Sequence, residues 1–473
     1  NAVLPTIKDK KLINRTCLYV MKKLQLIIFL FLVLGMQSQE KYAVEASWTD
    51  VVTSQPEGFV VNEDGNVSIT SGEGLAWLIS AVNGLNGQEA NNYEGRIISL
   101  ENDIDISGNV WAAIGTQENP FKGTFDGQGF SINGIYMNDA WEGRNFGLFG
   151  RLDNAVIKRV VLGEGQIVGY EDCGGIAYLA DNNTHIDGCI IGTEISFYNY
   201  SGGVVGINRD SRISNCGVIP ITVCVEANYN GGVAGQNISV NADAVIENCY
   251  VVSLFGASYS SYYPGGIVGK NLTENGYHKA IVRNCYAAPL GLYGEYCGGI
   301  AGYNSDNSLI ENSYTNNSSD YEICGENHGD IVNCSIFDGN LKLTENVEVY
   351  GKVASELIEA LNLWVNSFPD ELYLSWILGN DDTNYGLPIF GNTLNVDEIT
   401  DNEIVIYPNP AQNIVKLPAV SGQMSEVKIY NILGMLVEEI EITSEEMEIN
   451  ISDYNSGIYF VEVDGEIVKL IKN

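Results

Sequence analysis

The sequence predicts an all-β chain: a parallel β-helix with short capping helices, then a small C-terminal β-sandwich. Three observations carry this prediction. A glycine-rich phrase recurs at a near-constant interval, a second phrase ending in cysteine or serine follows each copy, and the chain closes on segments that alternate apolar and polar residues.

Paired glycines fall at 174–175, 202–203, 231–232, 265–266 and 298–299, at intervals of 28, 29, 34 and 33 residues. Four of these phrases read GGVVGIN, GGVAGQN, GGIVGKN and GGIAGYN. Periods of roughly 20 to 50 residues mark stacked repeats. The companion phrases are IDGC at 186–189, ISNC at 213–216, IENC at 246–249, VRNC at 282–285, IENS at 310–313 and IVNC at 331–334. Both kinds alternate apolar and polar residues over a few positions between Gly, Asn and Asp, the pattern of short strands with turn punctuation. Neither shows helical spacing. Such strands are best satisfied by a coil in which each pairs in parallel with its copy one turn on, equivalent residues stacking about 4.8 Å apart. The glycines then allow positive φ or close backbone approach. Asn208, Asn237, Asn271 and Asn304 form one column, and Asn215, Asn248, Asn284, Asn312 and Asn333 a second; stacked amides donate to and accept from each other. The unit GGIAYLA at 174–180 places Tyr178 and Ala180 where the others have Gly and Asn, and is the least regular coil.

Composition agrees. Of 473 residues 45% are apolar and 18% charged, with 52 glycines and 27 tyrosines, too apolar for disorder and too turn-rich for a helical protein. A net charge of −36 argues against a nucleic-acid partner, because that binding draws on Lys and Arg displacing counterions. Calcium is compatible with such acidity, and the NDD at 380–382 is one acidic turn, but no motif supports a cofactor.

Cys189, Cys216, Cys249, Cys285 and Cys334 share one repeat position, with Ser313 in the fifth unit. Secretion opens a disulfide reading and metal binding is a third, but an inward column of small residues favours buried thiols, and no CxxC pair is present.

From Met21, the run MKKLQLIIFLFLVLGMQSQE reads as a secretory signal over 21–39: two lysines, then an apolar stretch too short to span a membrane. Residues 1–20 read as upstream sequence outside the folded protein. Stacked coils need covered ends. At the front, Thr70 and Glu73 stand at capping-box spacing before a helical face of Leu75, Leu78, Ile79 and Val82. At the back, Ser355 precedes the face Leu357, Ile358, Leu361, Trp364 and Val365, so 40–340 is the β-helix with its N-terminal cap and 341–395 its C-terminal cap.

With FKGTFDGQGFSINGIYMN at 121–138 and NFGLFG at 145–150, the repeats resemble the GLUG-repeat proteins; IISLENDIDISGNVWAAIG at 97–115 resembles the leader those proteins carry. The resemblance covers about residues 60–340 and implies a right-handed parallel β-helix on a secreted or cell-surface protein, often with adhesion suspected. The end of the chain, over 396–473, closely resembles the C-terminal sorting domain of the type IX secretion system. Tyr407, Pro408, Asn409 and Pro410 form its YPNP motif, followed by VKIYNILGMLVEE, ISDYNSGIYFVEV and a basic tail. This resemblance implies a Bacteroidetes-type source, export across the outer membrane, the secretion machinery and its sorting peptidase as partners, and removal of the domain on maturation.

Chemistry is less legible. His185, His278 and His328 are scattered, and there is no HExxH and no GxSxG. The expectation is a surface binding protein of adhesin type with no catalytic constellation. A polysaccharide lyase or hydrolase on a β-helix, and a structural stalk, are the alternatives. Tyrosines precede the glycine pairs: Tyr198 and Tyr200, Tyr229, Tyr259 with Tyr262 and Tyr263, Tyr293 and Tyr296. A column of rings serves either as a platform for sugar or protein or as a stabilised corner. The longer repeats add SVNADA at 239–244 and TENGYHKA at 273–280, the second bringing Tyr277, His278 and Lys279. Insertions in stacked repeats collect on one face, so Tyr259, Tyr262, Tyr263, Tyr277, His278 and Lys279 are the expected contacts for a glycan or host protein.

Overall fold

The computed structural model describes residues 46–337 apart from 139–144, 220, 256–260, 291, 293 and 317–321, then 348–368, 373–379, 387–391 and most of 411–472. The predicted signal at 21–39, the acidic turn at 380–382 and the YPNP motif lie outside the described residues.

The repeats form a parallel β-solenoid of three sheets with eleven, thirteen and seven described strands. Alternation within each short strand puts one side chain in two inside. In the eleven-stranded sheet Ile157, Ile186, Ile213, Ile246, Val282 and Ile310 are in register from coil to coil, and all are fully buried. Burying each such side chain contributes roughly 1.5 to 3 kcal/mol. Cys189, Cys216, Cys249 and Cys285 line the same interior as free thiols, each donating to the carbonyl two residues earlier. Burial pushes the Cys189, Cys216 and Cys249 thiols well above their ordinary pKa.

The two asparagine columns are hydrogen-bonded ladders that run in opposite directions. Asn208, Asn237, Asn271 and Asn304 each donate Nδ2 to the Oδ1 of the following member, at 2.7–2.9 Å, ending on Asn327. Asn248, Asn284 and Asn312 each donate to the preceding member at 2.7 Å, and Asn215 donates to Asp187. Ala180 occupies the ladder position before Asn208 and supplies no donor, so Asn208 Oδ1 is buried without a partner among the described residues.

Of the two roles expected of the glycine pairs, positive φ falls elsewhere and close approach remains. The second asparagine column turns the chain at φ 45–54°, and Tyr200, Tyr229, Tyr263 and Tyr296 do so at 49–58°. The glycine pairs serve close approach: a Cβ on Gly202 would lie 2.5 Å from the Ala234 Cα.

The front helix spans Gly72–Asn83 and is capped by Ser71, whose Oγ accepts from the Gly74 amide at 3.1 Å. The expected cap, Thr70, is one residue too early: the helix begins at Gly72, and the extended Ser71 before it, at φ −149° and ψ 164°, takes the cap position. Leu75, Leu78, Ile79 and Val82 are buried as expected, but so are Ala76, Trp77 and Ser80, since the helix packs between the short helix Trp48–Val51, the strand Phe59–Val61 and the first coil.

The described part of the expected C-terminal cap lies elsewhere than on the end of the stack. Leu357, Leu361 and Val365 of the helix Glu348–Asn366, with Trp376, Leu387 and Phe390, pack on Tyr250 and Tyr286 at the flank of the coils. Polar anchors fix the flank position. Trp376 Nε1 donates to Asn248 Oδ1 at 2.8 Å, the Leu374 amide to Asn215 Oδ1 at 2.9 Å, and Tyr373 to the buried Glu247 at 3.0 Å. In the last described coil Ile331, Val332 and Ile336 are exposed.

Residues 394–473 form a separate unit. Ile414–Pro418 pairs with Glu446–Asn450, and a four-stranded antiparallel sheet contains Glu426–Asn431, Leu436–Glu441, Gly457–Val463 and Glu466–Lys472. Val415, Val427, Ile429, Ile449, Val461 and Leu470 make their shared core.

Candidate functional site: a tyrosine ladder and the adjoining sheet face

Two residues before each glycine pair, and before the single Gly147 of the first coil, the chain enters the seven-stranded sheet through one left-handed residue. In successive coils this is Asn145, Asp172, Tyr200, Tyr229, Tyr263 and Tyr296. A left-handed tyrosine costs roughly 1 to 2 kcal/mol of backbone energy. The corner is accommodated by the third glycine of each phrase: a Cβ on Gly235, Gly269, Gly302 or Gly325 would collide with the backbone of Tyr200, Tyr229, Tyr263 or Tyr296. The rings stack at 5.6, 4.9 and 4.9 Å with interplanar angles of 7°, 7° and 11°.

Beside the rings runs an outward column of the sheet. Register places Arg151, Leu179, Ile207, Gln236, Lys270, Tyr303 and Glu326 in one line. Lys270 Nζ lies 5.4 Å from the Tyr229 ring centroid and 6.0 Å from that of Tyr303. Tyr303 meets Tyr263 edge-on at 5.8 Å and His328 at 5.7 Å. Tyr263 donates its phenol to Glu326 Oε2 at 2.7 Å, and His328 Nε2 lies 2.9 Å from Glu326 Oε1. The hydrogen bonds of His328 and Tyr263 hold the Glu326 carboxyl below its usual range. The same carboxylate, then burial, pushes the Tyr263 phenol up. Burial raises Tyr229 and Tyr303, and Glu326 adds to the rise at both. Five flat rings with polar tips, an amide, an ammonium, a carboxylate and an imidazole thus share one open surface.

The expected contacts divide between two corners. Tyr263 is a rung of the ladder, and Tyr262 beside it is exposed, bridging Asn228 and Glu295 through the backbone. Tyr259 lies outside the described residues, as do the side chains of Tyr198 and Tyr293. Tyr277, His278 and Lys279 stand beyond the far end of the strand Val268–Thr273, whose six residues span roughly 20 Å. Tyr277 is 90% exposed, His278 Nδ1 lies 3.5 Å from Asp243, and the Lys279 amide donates to Asp243. The tyrosine corner and the insertion loop therefore flank one sheet and do not form one site.

Lys270, Tyr303 and Glu326 were missed, although a signal existed. They are the variable residue between the third glycine and the asparagine in GKN, GYN and GEN, the one position of a fixed phrase that changes chemistry from coil to coil. Among the described residues no group of three or more His, Cys, Asp or Glu side chains is arranged to hold a metal ion, and no helix is long and apolar enough to cross a membrane.

A parallel β-solenoid with an exposed aromatic ladder is thus joined to a second, antiparallel unit. Residues 405–473 of that unit match the family described as the secretion system C-terminal sorting domain. The chain carries a type IX sorting domain, which engages that secretion machinery and directs the protein to the cell surface or extracellular space. Over 80 residues the chain is 31% identical to beta-agarase A of Zobellia galactanivorans, covering 16% of this chain and 15% of that protein. The chain spans a small fraction of that relative's length.

Proposed function

We propose that this protein is an exported surface glycan-binding protein whose ligand lies along the tyrosine ladder. The observation that carries the reading is the stack of Tyr200, Tyr229, Tyr263 and Tyr296, held at backbone cost beside Lys270, Tyr303 and Glu326. Strained, half-exposed aromatic rows favour a ligand role over a purely packed corner, since sugar rings stack on the faces while hydroxyls meet the polar column. Glycan-array binding by the full chain tests this, and silence across the array contradicts it. In this reading the 21–39 segment is a cleaved secretion signal, the repeats are of GLUG type, and the sorting domain is removed on maturation. Recovery of VKIYNILGMLVEE still joined to the repeats in mature surface protein, by mass spectrometry, contradicts the last point.

A second reading, a polysaccharide-active enzyme, is favoured by the likeness to beta-agarase A. At the ladder the Glu326 carboxylate and the Tyr263 phenol hydrogen-bond each other, the first held low and the second high. Release of reducing ends from a bound polysaccharide restores the enzyme.

A further inference from the structure

We infer that a cleft at the N-terminal end of the same sheet face is a separate binding site for an uncharged sugar unit. Ile114 and Phe121 make single bridges to Phe149 and Leu152 of the first strand of the seven-stranded sheet. The chain between them turns outward through Gly115, at φ 88°, and the Thr116–Asn119 turn. A full strand does not form there, and a cavity of about 520 Å³ opens over the outward side chains of Phe149–Asp153.

Its walls carry amides, two ion pairs and the exposed carboxylate of Glu118. Asn92, Gln117 and Asn119 line it with Lys122, Arg151 and Asp153. Lys122 Nζ lies 3.1 Å from Asp153, and Arg151 Nη2 lies 2.9 Å from Asp181, which Arg209 also grips. Each cation already has a carboxylate, so an anionic ligand gains little net attraction. Amides and ion pairs both offer donors and acceptors, the set that reads sugar hydroxyls. Arg151 Nε is buried and has no acceptor among the described residues. Arg151 is also in line with Lys270, four rungs and roughly 19 Å along the stack.

The choice of a sugar draws on the reading of this face as a glycan surface, and the test separates the two. Saturation-transfer NMR is recorded on the full chain with methyl β-galactoside, methyl β-glucoside and glucuronate. Two cleft variants are compared with the ladder double variant Tyr229→Asn/Tyr263→Asn. Ala90→Trp fills the cavity without touching an ion pair, and Arg151→Gln removes the unpartnered donor while Asp181 keeps Arg209. The expected result is a signal from a neutral glycoside that weakens at least tenfold in both cleft variants, melts unchanged, and persists in the ladder variant. Loss in the ladder variant alone, persistence in Ala90→Trp, absence of any neutral signal, or a stronger signal from glucuronate overturns the inference. Retention of this signal while polymer binding by the ladder fails leaves the cleft standing and removes the ladder reading.

Discussion

The phenol of Tyr263 reaches across two coils to donate to Glu326 at 2.7 Å, tying the tyrosine ladder to the polar column beside it. Tyr263→Phe keeps the ring and removes that donor. The Glu326 carboxyl, now held low by His328 alone, then titrates higher than in the parent protein, as a carbon-detected NMR titration reads directly. An unchanged Glu326 titration contradicts the bond.

Asn237 sits in the middle of a buried ladder, accepting from Asn208 and donating to Asn271 and the Ala244 carbonyl. Asn237→Ala takes from the buried Ala244 carbonyl its Asn237 donor and from Asn208 Nδ2 its shortest bond, though that amide keeps the Ser211 and Val245 carbonyls; at about 1 to 3 kcal/mol for an unsatisfied group, this lowers the urea midpoint. Ala180→Asn does the reverse by giving Asn208 Oδ1 its missing donor, stabilising by about 1 kcal/mol. A destabilised Ala180→Asn protein shows that the pocket around Ala180 has no room for the amide.

The period, the asparagine columns and the cysteine column were legible because each repeats one chemistry at one spacing. What the glycines do was half legible: their number signals tight backbone, but whether Gly235 relieves positive φ or lets Tyr200 pass is decided by the neighbouring coil. The flank position of Trp376 and Leu374 was not legible, since an apolar helical face looks the same whether it meets the end of a stack or its side. Lys270, Tyr303 and Glu326 escaped notice because their relation lies in register and not in residue type.

The buried thiols of Cys189, Cys216 and Cys249 resist alkylation in the native protein at pH 8 and react fully after denaturation. Their raised pKa also fixes a sign. Thiols held neutral in the fold contribute stability in full below the ordinary cysteine pKa of about 8.5, and that contribution falls as pH rises above it, where the unfolded chain ionises first. Native-state labelling, or disulfides found by mass, contradicts the buried column.

Acid stability turns on Asp126. Burial pushes its carboxyl up, but the Arg159 hydrogen bond, the Gln128 amide and the Lys158 charge outweigh burial and hold it low. A depressed folded value stabilises above the ordinary carboxylate pKa of about 4, and the contribution is lost as pH falls through the folded value. Asp126→Asn therefore lowers the melting temperature at pH 7 and reduces its fall below pH 4. Parallel melting curves for parent and variant across that range contradict the assignment.

The chain itself supplies the backbone-compatible replacement for a ladder tyrosine, because Asn145 holds the equivalent corner at φ 63°. Tyr229→Asn/Tyr263→Asn removes two central rings and keeps the turn. The decisive measurement is co-sedimentation of the full chain and this variant with the insoluble polysaccharide that scores best on the array. Two lost stacking contacts predict roughly a tenfold weaker dissociation constant at an unchanged melting temperature. Equal binding by parent and variant contradicts a ligand along the tyrosine ladder.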